Sequence, residues 1–230
     1  MEIFAPQRVF CWFNGVTRDM RVTAAITDPA VLAAMQAENA AIAQGLKLGD
    51  ANLLDRLIDQ YQHRLMRYLV FLCGRSDIAE DLFQETWVRV LLRGAQYNGQ
   101  ARFDTWLFTI ARNLVIDLSR KRTMASLDQM QDTENGDDRP FEVAADDPSP
   151  FEQLRLREDG AEVVEAMLTL EPNYREVLTL RFYEEMALEE IAKVTRAPLS
   201  TVKSRLYRGM AALKPQIEKL RAGAKVEVQA

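Results

Sequence analysis

The sequence predicts an all-α chain of two small helical domains joined by a flexible acidic linker. Three observations carry that expectation. Apolar residues recur at helical spacing on both sides of the middle of the chain. The middle itself, residues 123–150, holds eight Asp or Glu against one base, Arg139, with Pro140, Pro148 and Pro150 and no sustained period. A short helix, a turn and a second, basic helix then follow one another between Glu189 and Arg208.

Residues 1–44 read as an N-terminal extension. Phe4, Phe10, Trp12 and Phe13 form an aromatic cluster without a period, and the segment lacks the basic start and apolar run of a secretion signal. It is either a disordered or partner-binding extension or sequence upstream of a true start at Met20 or Met35. The Ala-rich run from Pro29 to Gln44 suggests a short helix. Residues 45–122 read as the first helical domain. Leu53, Leu54, Leu57, Ile58 and Tyr61, then Leu65, Tyr68, Leu69 and Leu72, keep helical spacing. Gly74 should stop that helix, and Asp77 with Glu80 has capping-box spacing. Gly94 to Gly99 marks a loop, and a further helix should run from Phe103 to about Arg122.

The linker at 123–150 is too polar to offset the entropy of ordering. Extended, it would span roughly 95 Å. Residues 151–222 read as the second helical domain: Val163, Met167 and Leu170 share a face, Pro172 suits a helix first turn, and the helix-turn-helix follows. Residues 223–230 form a tail.

Charge is segregated. The chain carries a net charge of -5, yet residues 196–222 hold seven Lys or Arg and one acid, Glu218. Local potential matters more than the total for docking on phosphate. No run of apolar residues is long enough to span a membrane. Cys11 and Cys73 make no disulfide framework and point to a reducing cytoplasm. With His63 alone, and no zinc-type cluster, Gly-rich phosphate loop or nucleophile elbow, the expectation is no catalysis, no metal and no cofactor.

Val202, Leu206, Met210 and Leu213 should face inward on the last helix, leaving Thr201, Ser204, Arg205 and Arg208 on the opposite side with Lys203 and Tyr207 beside them. Ser200 is the expected N-cap. Such a helix suits the major groove of DNA. Upstream, Ala101 to Asn113 is dense in aromatics and bases. Phe103, Leu107, Ile110, Leu114 and Leu118 form its apolar stripe, while Thr109, Arg112, Asn113 and Arg120 lie along another side. Aromatics beside cations can hold single-stranded nucleic acid, or Phe103, Trp106 and Phe108 can be plain core.

Three pieces in order resemble the extracytoplasmic-function (group IV) sigma factors of bacterial RNA polymerase: Ala79-Glu80-Asp81-Leu82-Phe83-Gln84-Glu85-Thr86-Trp87, Phe103-Asp104-Thr105-Trp106-Leu107-Phe108-Thr109-Ile110-Ala111-Arg112-Asn113, and Thr201-Val202-Lys203-Ser204-Arg205. The resemblance spans about Asn52 to Leu220. It implies a sigma-2 helical bundle and a sigma-4 helix-turn-helix domain, with core RNA polymerase and promoter DNA as partners and an anti-sigma factor as a common third. It implies docking on the polymerase through Asp81, Gln84 and Glu85, and reading of a melted -10 element by the loop from Tyr97 to Asp104 with Arg102, Phe103, Trp106, Arg112, Asn113, Arg120 and Arg122. Asn113 would read a base, and Trp106 would be either a stacking wedge or core. Duplex -35 DNA would be read by Ser200, Thr201, Lys203, Ser204, Arg205, Tyr207 and Arg208. The acidic linker would either lie in a channel built for nucleic acid or act as a plain tether.

Three positions depart from the family pattern. Arg196 stands where glycine is frequent, so a positive φ there would be uncomfortable, and Glu185 replaces another frequent glycine. Ala187 replaces the usual Ser or Thr cap. A stand-alone helix-turn-helix regulator would leave the Asp81–Glu85 face and the Trp-rich helix without a role. A nucleic-acid enzyme would need a nucleophile or metal carboxylates that the basic region lacks.

Overall fold

The computed structural model describes residues 29–129 and 158–227, with side chains described for 29–121 and 163–219. The expected aromatic extension and most of the acidic linker lie outside these residues. Among the described residues every regular element is helical. Helix α1 spans Pro29–Leu48, α2 Ala51–Cys73, α3 Ser76–Arg93, and α4 Phe103–Gln129, with a 3-10 turn at Gly94–Gln96 between α3 and α4. After the linker come α5 (Glu158–Leu168), α6 (Pro172–Leu178), a π-helical turn (Thr179–Tyr183), α7 (Leu188–Thr195) and α8 (Leu199–Glu227).

Local chemistry accounts for most boundaries. Asp50 caps α2, its carboxylate accepting from the Asn52 and Leu53 amides. Gly74 ends α2 in the left-handed region at φ 68°, its amide donating to the Val70 carbonyl at 2.8 Å. Pro172 opens α6 as expected. Two expected caps are absent. Arg75, not Asp77, precedes α3, no side chain caps it, and the Asp77 carboxylate instead takes the Arg75 guanidinium at 2.6 Å. That pairing holds Asp77 below the usual carboxylate range. Helix α8 begins one residue before Ser200, and the Pro198 carbonyl accepts its first amide bond from Val202 at 3.0 Å, so Ser200 sits inside the first turn. The Ala-rich segment is a longer helix than expected, running on to Leu48, and α4 continues past Arg122 to Gln129.

In the first body, α2, α3 and α4 enclose Leu57, Leu65, Leu69, Ala79, Val90, Leu107, Phe108 and Ala111. Helix α1 lies across the 3-10 turn and α2, burying Ile42. In the second, Val164, Met167, Val177, Leu178, Ile191 and Val194 are buried around the inward face of α8, where Val202, Leu206, Met210 and Leu213 all point to the core. Gly209 lets α8 approach α6, since a Cβ there would meet Tyr174 at 3.1 Å and Leu178 at 3.2 Å.

The bodies also touch, with α2 against α6 and the π turn, and α4 against α7. The sequence pattern contains a trace of this. From Tyr68 to Phe71 four consecutive residues of α2 are buried, so this stretch is covered all round rather than on one stripe. The outward side is covered by Arg175, which donates to the Phe71 carbonyl at 2.9 Å, and by Tyr183, whose ring lies 5.3 Å from that of Phe71.

The two frequent-glycine positions do adopt positive φ: 53° at Glu185 and 50° at Arg196. Both side chains are exposed. Half of a capping box survives at α7, the Ala187 amide donating to Glu190 Oε2 at 2.8 Å. Replacing Arg196 by Gly should stabilise the chain by about 0.5–1 kcal/mol, because left-handed strain is relieved against a smaller loss of unfolded-state restriction; urea unfolding checks this. Gly99→Ala should do the reverse, by about 1–2 kcal/mol, since Gly99 has φ 72° and a Cβ there would lie 3.1 Å from the Asn39 carbonyl oxygen.

Candidate nucleic-acid interface

Helix α3 presents the expected polar face. Ala79, Leu82, Thr86, Trp87 and Val90 are buried, Asp81 and Gln84 are exposed, and half-exposed Glu85 pairs with Arg89 one turn on at 2.7 Å. The stripe does not stop there. Val88, Leu91 and Leu92 are exposed, at 44%, 62% and 76%. Asp81, Gln84, Val88 and Leu91 follow one another at i, i+3, i+7 and i+10 on one side of the helix. Sequence reasoning missed the apolar half, although Thr86, Trp87 and Val90 already fill the buried side and leave Val88 and Leu91 off it.

The loop before α4 is held at its base. Tyr97 is buried, and its hydroxyl lies 2.7 Å from the Ala101 carbonyl and 3.3 Å from Asn39 Oδ1. Asn98 and Gln100 at the tip are exposed, with Asn98 Oδ1 accepting from the Gln100 amide. Phe103 is only 2% exposed, among Tyr61, Tyr97 and Trp106 with ring centroids 5.4, 5.6 and 5.8 Å away. Of the two readings open for it, DNA contact or core, its ring here packs as part of the aromatic core. Trp106 is half-buried, tilted against Tyr97 at 5.2 Å, so core packing and one open edge coexist. Asn113 is half-exposed and Arg120 exposed. The side chain of Arg122 lies outside the described residues. From Arg102 to Arg120 these residues run along α4 over about 27 Å, a line rather than a pocket.

The face of α8 is open as expected. Lys203, Ser204, Tyr207 and Arg208 are exposed, and Thr201 and Arg205 are half-exposed. A groove of about 350 Å³ brings Ser200, Thr201, Ser204, Arg205 and Arg208 together with Glu171, Asn173 and Tyr174 at the start of α6. No periodicity could have placed those three beside the basic helix; their position depends on how α6 crosses α8.

Between the bodies lies a cluster that the sequence did not announce. Glu184 has no exposed side-chain surface. Its Oε2 accepts from Arg64 Nε at 2.7 Å and its Oε1 from Arg67 Nη2 at 2.6 Å. Glu176 Oε1 accepts from Arg112 Nε at 2.6 Å and from the Tyr68 hydroxyl at 3.1 Å. Arg102 bonds Asp104 at 2.7 Å and faces Glu190 at 3.7 Å. Burial opposes the charge on Arg64, but Glu184 and then Asp104 outweigh it and hold the guanidinium above its ordinary range. Burial, and then Asp104, push the Tyr61 hydroxyl up to about 12. Burial, with Glu176 beside it, also pushes the Tyr68 hydroxyl well above its ordinary value.

Among the described residues no group of His, Cys, Asp and Glu could hold a metal ion, and no helix is long and apolar enough to cross a membrane. The description Sigma-70 region 2 matches residues 57–124, and Sigma-70, region 4 matches residues 160–213. The chain is 29% identical over 176 residues to the ECF RNA polymerase sigma factor SigW of Bacillus subtilis (strain 168), covering 76% of this chain and 94% of that one. It is 30% identical over 172 residues to SigX of the same organism, covering 72% and 84%. The fold is similar to that of the sigma factor RpoE in complex with the anti-sigma factor NepR from Bartonella quintana, with TM-score 0.57, 23% identity, and 71% of this chain and 96% of that one covered. It is also similar to CnrH in complex with the cytosolic domain of CnrY, with TM-score 0.56, 20% identity, and coverage of 79% and 97%. With both sigma-70 regions in order and a 30% identical relative covered over 84% of its length, the chain belongs to the ECF RNA polymerase sigma factors.

Proposed function

We propose that this sigma factor directs core RNA polymerase to promoters in the cytoplasm, with the chemistry left to the polymerase. The observation that carries the reading is the open face of α8, where Lys203, Ser204, Tyr207 and Arg208 project from a helix whose other side is wholly committed to the core. Arg205 and Arg208 would contact guanine edges or phosphates of a duplex -35 element, with Thr201 and Ser204 beside them. The groove shared with Asn173 and Tyr174 would receive the adjoining DNA backbone.

Residues 45–122 would work as the sigma-2 module and 151–222 as the sigma-4 module, with 123–150 as the tether. Helix α1 would serve the first as a brace under the loop at Tyr97–Asp104. In that module Asn113 would read an unstacked base of the -10 element. Arg102, Arg112, Arg120 and Arg122 would hold its backbone, and the open edge of Trp106 would support a base by stacking. The polymerase would dock on Asp81, Gln84 and Glu85 and bury Val88 and Leu91, which otherwise stay in water. One solved structure sharing this fold holds a sigma factor with the anti-sigma factor NepR, and we extend that partner class to this chain.

The central test is run-off transcription with core polymerase on a genomic DNA pool, followed by mapping of start sites. A defined promoter set should emerge; absence of stimulated, selective initiation would refute the reading. On such a promoter Arg205→Ala should lower affinity about 5- to 150-fold, as expected for loss of about 1–3 kcal/mol of base discrimination. Leu91→Glu should weaken co-purification with core polymerase while leaving the helical signal in circular dichroism unchanged. Asn113→Ala should impair promoter opening, scored by permanganate reactivity, and keep core association.

A further inference from the structure

Two of the arginines assigned above to the -10 backbone, Arg102 and Arg112, are engaged in this arrangement. Arg112 donates to Glu176, and Arg102 faces Glu190. Arg64 and Arg67, which the promoter reading does not use, complete the same row. They are linked to it because Arg64 approaches Asp104, the partner of Arg102, at 3.7 Å, and because Tyr68, one residue after Arg67, shares Glu176 with Arg112. Four cations of the first body therefore face three carboxylates of the second.

The geometry of that meeting resembles the grip of arginines on a phosphate. Glu184 offers its two oxygens to two different arginines at 2.7 and 2.6 Å, as two non-bridging oxygens of a phosphodiester would. Aromatic surface lies beside the cations: Arg64 sits over Tyr61 at 5.1 Å and over Phe108 at 5.9 Å. The fit is incomplete, since Arg67 Nε is buried without a hydrogen-bond partner. The centre of the interface is thus polar, and another anion can replace its acceptors in a way that no ligand could replace an apolar core.

Resting on the promoter reading, we propose that Arg64 and Arg67 join Arg102 and Arg112 in a track for single-stranded DNA phosphates, and that Glu176, Glu184 and Glu190 occupy this track in the closed chain. The second body then masks the first. The tether keeps the carboxylates at high effective concentration, so free DNA competes poorly until something separates the bodies. Opening exposes the four arginines together.

The test uses the full chain and a dye-labelled, short single-stranded DNA of random sequence, without polymerase. The combined E176Q, E184Q and E190Q variant should bind it at least about tenfold more tightly than the unaltered chain, since the competent state is no longer the minor one. Adding R64Q and R67Q to that variant should reverse the gain and flatten the salt dependence, by about 0.7 in slope for each phosphate no longer neutralised. Unchanged affinity in the triple variant, or no weakening on removing Arg64 and Arg67, overturns the proposal. Should the triple variant fail to fold, hydrogen exchange on the unaltered chain decides. Saturating the chain with the oligonucleotide should speed exchange across Leu180–Glu184 and α7, and unchanged exchange there refutes the mask. Because the probe carries no promoter and the assay no polymerase, failure here leaves the transcription test standing, and failure there leaves this one standing.

Discussion

The carboxylate of Glu184, shared between Arg64 and Arg67 and shut away from water, sets the relation between the two halves of this molecule. A buried carboxylate is tolerated only when charge and hydrogen bonds replace its hydration. Two guanidiniums from α2 do so, and they can do it only if the π turn of the second body lies against that helix. Around this centre the rest of the interface follows: Arg175 reaches the Phe71 carbonyl, Tyr183 covers Phe71, and Glu176 collects Arg112 and Tyr68. The apolar residues buried at Tyr68–Phe71 are continuous with both cores, yet the groups that fix the alignment are ionic.

That choice of chemistry leaves the polar surfaces of the molecule in different states. The basic face of α8 points away from the interface and is open, and the polar and apolar stripe of α3 is likewise open. The arginines nearest the Trp-bearing helix are engaged. One molecule therefore exposes the basic side of α8 and the stripe of α3 while Arg64, Arg67, Arg102 and Arg112 are paired within it.

The helical elements were legible in the sequence because their causes are local. The spacing of Val202, Leu206, Met210 and Leu213 gives one buried side whatever else the chain does, and Gly74 ends α2 because it reaches the left-handed region without penalty. The unease about Arg196 was also readable, since a turn that needs positive φ imposes it on whatever residue is present. Caps were less legible. Asp77 has the right spacing for a box, but its carboxylate is taken by Arg75, a competition that spacing does not record. Phe103 illustrates the same limit: an aromatic at the start of a basic helix looks available until Tyr61 and Tyr97 close over it.

By itself the sequence determined the helices, their inward faces, the charge of the linker and the chemistry of the α8 surface, for each depends on residues within a few turns of one another. Only the tertiary structure decided which arginines stand free. The partners of Arg64, Arg67 and Arg112 lie 120, 117 and 64 positions away. Electrostatic pairing depends on distance in space, and no periodic pattern encodes a distance across a 28-residue linker.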